Sequence, residues 1–365
     1  MADMLDKTFL SDIKELLHQA RQKIQSTINT AMVYTYYEIG RRIVQQEQKG
    51  KNRAEYGEEI IKQLSRSLTK EYGRGFSEMN IKLFRRFYLV YSQDEYDCIL
   101  SSNNKEMIFI NKNQKRQTVF VESDIVPYNY DGKHFYLSWS HYIVLIRIKN
   151  NLERRFYEIE AFNNGWSFRE LSRQYNSGLY LRLINSKDKT KELELSTKGQ
   201  LLNSPVDLIK DPYVLDFLGL EERPSCSEKE LETSIIDKLQ DFILELGKGF
   251  MFVKRQARMT FGEKHFYADL VFYNRILRCF VIIDLKIGEL RHQDIGQMQM
   301  YVNYYDREVK LESENSTIGL LLCRTKDDAM VELTLPRDNN QIFASEYETI
   351  LPKRDELIKL IKNKQ

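Results

Sequence analysis

Apolar residues recur at helical spacing from early in the chain. Ile13, Leu16, Leu17, Ile24, Ile28, Met32 and Val33 mark one face, and Tyr34, Tyr36, Tyr37, Ile39 and Ile43 extend it. This pattern predicts one or two long helices over 6–48, broken by Gly50, Lys51 and Asn52. Ile60, Ile61, Leu64 and Leu68 predict a further helix over 54–71. The glycines of the following EYGRG turn permit positive φ, and Ser77 caps a helix carrying Ile81, Leu83, Phe84, Phe87 and Tyr88. Helix, glycine turn and helix together form a helix-turn-helix pattern. A second such unit pairs an amphipathic helix over 153–162 with one capped by Ser167 that runs through Leu171 towards Leu183. Between the two units, residues 92–136 are rich in Asn, Asp and Ser and read as an irregular insertion, with strand-like pieces at 107–110 and 118–121.

The pattern changes after Pro212, and a domain boundary is placed near 200–212. Leu231, Ile235, Ile236, Leu239, Phe242, Ile243 and Leu246 stripe a helix over 227–246, stopped by Gly247 and Gly249. Strands follow at 249–256, 264–274 and 276–287. The last of these is apolar on both faces and so is expected to be central and covered. A helix over 294–306, a buried strand at 317–323, an edge strand at 343–347 and a closing helix over 353–362 complete the pattern. The expected fold class is thus a helical N-terminal domain (1–200) with helix-turn-helix-like units, followed by an α/β domain (211–365) with a central mixed sheet.

Composition narrows the function without choosing it. In this chain of 365 residues, 42% are hydrophobic and 30% charged, and no apolar run approaches the ~20 residues that a membrane helix needs. The start, MADMLDKTFL, reads as neither a signal nor a transit peptide. Cys98, Cys226, Cys279 and Cys323 are scattered, which argues against a zinc site and for a reducing, cytoplasmic setting. Net charge is only +2, but residues 51–91 carry nine Lys/Arg against five Asp/Glu, and residues 147–191 carry ten against five. These local excesses make Arg74, Arg85, Arg86, Arg169, Arg173 and Arg182 candidates for phosphate contact, although a solvated helix face explains either segment equally well.

The chemistry concentrates in IIDLKI (282–287). Asp284 and Lys286 interrupt an apolar strand and, at i and i+2, share one face. Buried charges are costly unless paired or bound to a metal. FYADLVF carries a second isolated acid, Asp269, on the preceding strand. A simple hairpin register sets Asp269 opposite a residue near 280–283, so a bulge or loop offset is needed to level it with Asp284. Two converging carboxylates suit a hard divalent cation, and a lysine beside them suits phosphodiester hydrolysis. An isolated Asp-x-Lys is more often a plain salt bridge. Here Gln297 and Tyr301 follow at i and i+4 on one helix face. No GxGxxG, P-loop or GxSxG motif competes.

The combined run YADLVFYN…CFVIIDLKIGELRHQDIGQMQMYVNYYDRE, preceded by CSEKELETSIIDKLQDFILELGKGF, resembles the YhcG-type family of bacterial PD-(D/E)XK nucleases. SRSLTKEYGRGFSEMNIKLFRRFY, SWSHYIVLIRI and NNGWSFRELSRQYNSGLYLRL extend the resemblance to the N-terminal half, leaving only about 92–136 outside it. The resemblance implies a restriction-endonuclease-like fold with Asp269, Asp284 and Lys286 as catalytic residues and Gln297 and Tyr301 as the supporting Gln-x-x-x-Tyr helix. It also implies one further acid from the first helix. Glu232 is chosen for that role, with Glu228 and Glu230 as competitors, and Asp269, Asp284 and Glu232 are then the expected metal ligands. Gln256 is a weaker candidate to face the site, and His292 reads as a loop residue.

The implied activity is Mg²⁺-dependent cleavage of DNA, with Mn²⁺ able to substitute, in a defence, mobile-element or repair setting. DNA is the expected partner, in a homodimer or a restriction or defence complex, with no membrane association. Two alternatives are weighed beside it. One is a DNA-binding or assembly protein whose nuclease fold is structural. The other is RNA as substrate, with tyrosines stacking on bases.

Overall fold

The computed structural model describes residues 7–49, 54–100, 106–111, 134–184, 189–220 and 227–350. The expected closing helix over 353–362 and the strand-like piece at 118–121 lie outside them. Two compact units are present. One comprises Met1–Ser172 with Lys189–Gly199, and the other Arg173–Asp188 with Gln200–Gln365. The described part of this segment, Arg173–Ile184, therefore packs with the C-terminal unit, although it precedes the boundary expected from the sequence.

The helices of the first unit are α1 (Lys7–Lys49), α2 (Ala54–Tyr72), α3 (Glu78–Ser92), α4 (Trp139–Leu145) and α5 (Asn151–Asn163), with α6 (Phe168–Asn176) at the unit boundary. α7 (Leu179–Leu183) belongs to the second unit, and α8 (Lys189–Lys198) returns to the first. Between α2 and α3 a short 3₁₀ turn, Arg74–Phe76, follows Gly73 at φ 89°, and Ser77 Oγ accepts from Asn80 N at 3.3 Å. The helix-turn-helix connection thus rests on the glycine and cap that the sequence supplies.

The apolar stripe of α1 is used unevenly. Val33, Tyr34, Tyr37 and Ile43 are buried, whereas Leu16, Leu17 and Ile28 are exposed. Among the described residues, the cluster of Ile43, Ile61, Ile81 and Phe84 joins the later part of α1 to α2 and α3. Gly40 is required at this crossing, because a Cβ there would collide with the Phe84 carbonyl.

Two expectations for the first unit are corrected. Part of the insertion at 92–136 is a regular antiparallel hairpin of β1 (Tyr96–Leu100) and β2 (Met107–Asn111), whose Cys98, Met107 and Phe109 pack with Ile159. α5 is not amphipathic, because every residue from Glu153 to Ala161 is buried. Its charges are matched inside. Arg154 and Arg155 lie 3.7 and 3.4 Å from Asp94, and Glu158 accepts from Tyr91 and Tyr142 at 2.9 and 3.1 Å. Burial pushes the Glu158 carboxyl up to about 7.

The second unit holds β3 (Tyr213–Val214), α9 (Glu228–Asp237), α10 (Leu239–Leu246), β4 (Phe250–Phe261), β5 (Lys264–Asn274) and β6 (Cys279–Glu289). It continues with α11 (His292–Tyr304), β7 (Ile318–Thr325), α12 (Asp328–Thr334) and β8 (Ile342–Glu348). The six strands form one sheet in the order β3-β8-β7-β6-β5-β4, antiparallel across β4, β5 and β6 and parallel from β6 to β3. Leu231, Ile235, Phe242 and Leu246 of α9 and α10 cover one face over Leu270, Phe272, Val281, Ile283 and Leu285. Ile295, Met298, Tyr301 and Val302 of α11 cover the other over Val271, Ile282 and Leu321. Double coverage explains why β6 is apolar on both faces. At Gly319 of β7 a Cβ would press into Met298 and Val302, so the glycine lets α11 lie close against the sheet.

The helix expected over 227–246 is divided at Lys238, which takes φ −115° and ψ 32°. α12 was not foreseen. Its start is set by Asp327, whose side chain accepts from Ala329 N and Met330 N.

Candidate active site

Asp269 and Asp284 meet through the strand register. β5 and β6 pair from Asn274↔Cys279 to Leu270↔Ile283 without a shift, which brings Asp269 level with Asp284 at the next position. Of the bulge or loop offset expected for this pairing, it is the loop that serves, because the four-residue connection 275–278 sets the register by itself. Beyond Leu270 the Leu285 N–H donates to Asp269 Oδ2, at 2.9 Å. The other oxygen, Oδ1, accepts from Gln256 Nε2 at 3.0 Å.

Asp284 is 3% exposed and sits on the α11 side of β6, between Ile282 and Lys286. Lys286 Nζ lies 2.7 Å from its Oδ2, yet no well-oriented hydrogen bond reaches that buried oxygen. The distance establishes an ion pair, and the orientation leaves Asp284 under-satisfied. Desolvation, then the charge of Asp269, pushes the Asp284 carboxyl up to about 7. The Asp269 carboxyl is also raised, chiefly by desolvation, against which its two hydrogen bonds and Lys286 act. Burial disfavours the Lys286 ammonium, but Asp284 outweighs it and holds the lysine above its ordinary range.

The Gln-x-x-x-Tyr helix is anchored on this pair. Gln297 Nε2 donates to the Tyr301 hydroxyl, which in turn donates to the Tyr267 carbonyl at 3.0 Å. Tyr301 is fully buried, and its phenol is raised by desolvation in the field of Asp284 and Asp269. It therefore acts as a neutral support that ties α11 to β5 beside Asp269.

The acids of α9 take separate places. Glu230 is consumed in the capping box with Ser227, accepting from Ser227 N at 2.7 Å. Glu232 is buried and accepts from Arg255 Nε at 2.7 Å, while its charge is felt by Asp269. The exposed Glu228 acts on both Asp284 and Lys286. Among the described residues no three His, Cys, Asp or Glu side chains gather around one point. The structure thus brings Asp269, Asp284, Lys286, Gln297 and Tyr301 together, and turns Glu232 towards Arg255.

The donors present fit a hard divalent cation. They are carboxylate oxygens on adjacent strands, one of them buried and poorly satisfied, in surroundings that disfavour two anions until a positive charge joins them.

The candidate phosphate-contacting arginines also divide. Arg74, Arg86 and Arg169 are exposed. Arg85 is held by Glu47, with Nε 2.7 Å from Oε2. Arg182 is 1% exposed, and its guanidinium donates to Glu245 at 2.6 Å and to the Ser177 and Pro212 carbonyls. Arg173 donates to the Val214 carbonyl and Asp216 and lies 3.5 Å from Glu245. Arg173 and Arg182 therefore serve the C-terminal unit, where their guanidinium groups bond protein acceptors, and not a phosphate surface. Several tyrosines too are interior. Tyr34, Tyr37, Tyr91, Tyr142, Tyr157 and Tyr180 are all buried, which removes them as stacking platforms.

A strand pair bearing Asp…Asp-x-Lys, backed by a Gln-x-x-x-Tyr helix, defines a PD-(D/E)XK nuclease domain, and the model of the "YhcG PDDEXK nuclease domain" matches residues 206–362. The "DUF1016 N-terminal domain" matches residues 12–182. The chain is 39% identical over 351 residues to the Escherichia coli (strain K12) protein named "Putative nuclease YhcG", covering 95% of this chain and 92% of that protein. It belongs to the YhcG family of PD-(D/E)XK nucleases. Among solved structures, a repair endonuclease from Pyrococcus abyssi aligns over 36% of this chain and 50% of its own, at 16% identity and a TM-score of 0.23.

Among the described residues no helix is long and apolar enough to cross a membrane. Cys98, Cys279 and Cys323 are unbridged and buried.

Proposed function

We propose that this nuclease hydrolyses phosphodiester bonds of DNA with a divalent cation, Mg²⁺ or Mn²⁺, held by Asp269 and Asp284. The observation that carries this reading is the desolvated Asp284 carboxylate, level with Asp269 and followed at i+2 by Lys286. A cation bound there supplies Lewis acidity and neutralises charge on the phosphoryl group.

The chain's own residues account for the rest. Lys286, held in its charged form, stabilises the negative charge that builds on the phosphoryl oxygens as water attacks phosphorus and the P–O bond to the leaving group breaks. A cationic lysine orients the attacking water but cannot take its proton. Tyr301 and Gln297 keep α11 fixed against β5, so that the carboxylates stay in place as substrate enters. The exposed Arg74, Arg86 and Arg169 of the helical unit are proposed to meet the nucleic-acid backbone. A homodimer would supply the two sites needed to cut both strands, and the proposed setting is defence, mobile-element control or repair in the cytoplasm.

The test is cleavage of plasmid, linear, branched and single-stranded DNA and of RNA with Mg²⁺ or Mn²⁺, wild type against Asp284→Ala. Cation-dependent cutting of DNA that the variant lacks supports the proposal. Cutting confined to RNA replaces the substrate. Cutting unchanged in the variant removes Asp284 from the chemistry. Retained DNA binding without cutting by the wild type favours the assembly reading.

A further inference from the structure

β4 is a strand of twelve residues, and in its interior Gln256 has φ 47°, the left-handed region that L side chains rarely adopt. Among the described residues the other non-glycine with positive φ is Arg278, which lies in the β5–β6 connection, where turns commonly require it. Gln256 has no turn to explain it. The bulge of this strand lies earlier, between Phe252 and Lys254; from Lys254 onward the register is unshifted, with Arg255↔Leu270 on one side and Ala257↔Ala268 on the other, so Gln256 stands opposite Asp269.

What changes at Gln256 is the facing of the strands. Arg255 pairs with Glu232 of α9, whereas Ala257 packs in the α11 layer. Likewise Leu270 belongs to the α9/α10 layer and Ala268 to the α11 layer. Residues two apart in a regular strand share a face. Here they do not, and the reversal falls at the residue whose amide donates to Asp269 Oδ1 at 3.0 Å. Strained backbone persists only where the surroundings over-determine it.

We propose that Gln256 is a positioning residue, held in a left-handed conformation so that its amide fixes the Asp269 carboxylate for the cation. The inference rests on the nuclease reading above. With Leu285 N–H on Oδ2 and Gln256 on Oδ1, each carboxylate oxygen is oriented by one neutral donor and keeps lone pairs for a ligand. A neutral amide suits this role. A lysine or arginine at 256 would orient Asp269 equally well but would cancel the charge that attracts the cation. Groups that orient metal ligands typically contribute 10–100-fold to affinity.

The test uses the full chain carrying Gln256→Gly, which relieves the backbone and deletes the amide. A second variant, Gln256→Asn, suits the same φ but is one methylene too short. Mn²⁺ affinity is read from the electron paramagnetic resonance of the free ion, and thermal unfolding is followed in the absence of metal. The expected result is a Tm equal to or above that of wild type in Gln256→Gly, with Mn²⁺ binding weakened roughly 10–100-fold in both variants. Mn²⁺ binding unchanged in both variants, while Asp284→Ala loses it, overturns the positioning role and leaves the nuclease reading standing. Tm and affinity falling together in both variants overturns it as well, since Gln256 would then be merely structural. Wild type and Asp284→Ala binding Mn²⁺ equally poorly sinks the cation reading and this inference with it.

Discussion

Two carboxylates of the C-terminal unit, Asp284 and Glu245, are almost completely buried, and their surroundings treat them in opposite ways. Glu245 accepts from Arg182 and from Val214 N, with Lys210 and Arg173 close by. Burial alone would raise its pKa, but these three cations outweigh burial and hold it down to about 2. Asp284 has one ion-pair partner, a poorly satisfied oxygen and a second acid beside it, and is driven up to about 7. Burial alone does not separate them, since Asp284 is 3% and Glu245 0% exposed. The difference is that Glu245's charge is matched by three cations within the fold, whereas Asp269 and Asp284 share the single cation Lys286. On the proposed reading, the complete partners of Glu245 make its charge structural, and the incomplete ones of Asp284 leave it open to a ligand.

The sharpest way to break this comparison is to remove each carboxylate's role in turn. Asp284→Ala is expected to reduce cation-dependent cleavage on the order of 10³-fold, while unfolding free energy changes by no more than about 1 kcal/mol. Cleavage rates and urea melts on the same preparation check both halves. A variant that loses stability instead of activity would place Asp284 with Glu245.

Arg182→Ala is expected to do the reverse. It leaves Glu245 buried with fewer partners and costs about 3–5 kcal/mol of stability. Replacing Arg182 and Glu245 together with methionine is expected to recover much of that loss, because the desolvated charge goes too. A fragment that begins at residue 200 lacks both Arg173 and Arg182 and is expected to melt well below the full chain.

Glu158 of the helical unit offers an intermediate case, buried and hydrogen-bonded by two tyrosines yet raised to about 7. Its folded pKa exceeds the unfolded value, so its contribution is fully present below about 4.5 and is lost as pH rises through about 7. Glu245 has the opposite sign, its contribution fully present above about 4.5 and lost as pH falls through about 2. Glu158→Gln is therefore expected to gain on wild type by on the order of 2 kcal/mol between pH 5 and pH 8, measured by urea unfolding at each pH.

The smallest effects concern the arginines. Arg74→Ala, Arg86→Ala and Arg169→Ala should each leave stability within about 0.5 kcal/mol and lower the salt dependence of DNA binding by about one unit of slope. An unchanged slope in all three would remove the helical unit's exposed cations from the interface.

Much of the site is legible in local pattern. Asp284 and Lys286 share a face because strands alternate, and Gln297 and Tyr301 share one because helices repeat every 3.6 residues. Both relations are short-range and survive folding unchanged. Gln256 gave only a faint signal, since a lone glutamine in a strand is ordinary and its left-handed backbone leaves no mark in composition. Arg182 gave a misleading one. Its place on a basic helical segment suggested phosphate, and only the approach of α10 shows that Glu245 takes its charge.

The sequence by itself determined the two-part architecture, the doubly covered strand β6 and the residue types of the centre, because periodicity and side-chain chemistry are properties of neighbours along the chain. The tertiary structure decided the pairing of Asp269 with Asp284, the facing of Gln256, the diversion of Glu232 to Arg255 and the burial of Arg182. These depend on register, twist and packing between segments far apart in sequence, where a turn one residue longer would have set different side chains face to face.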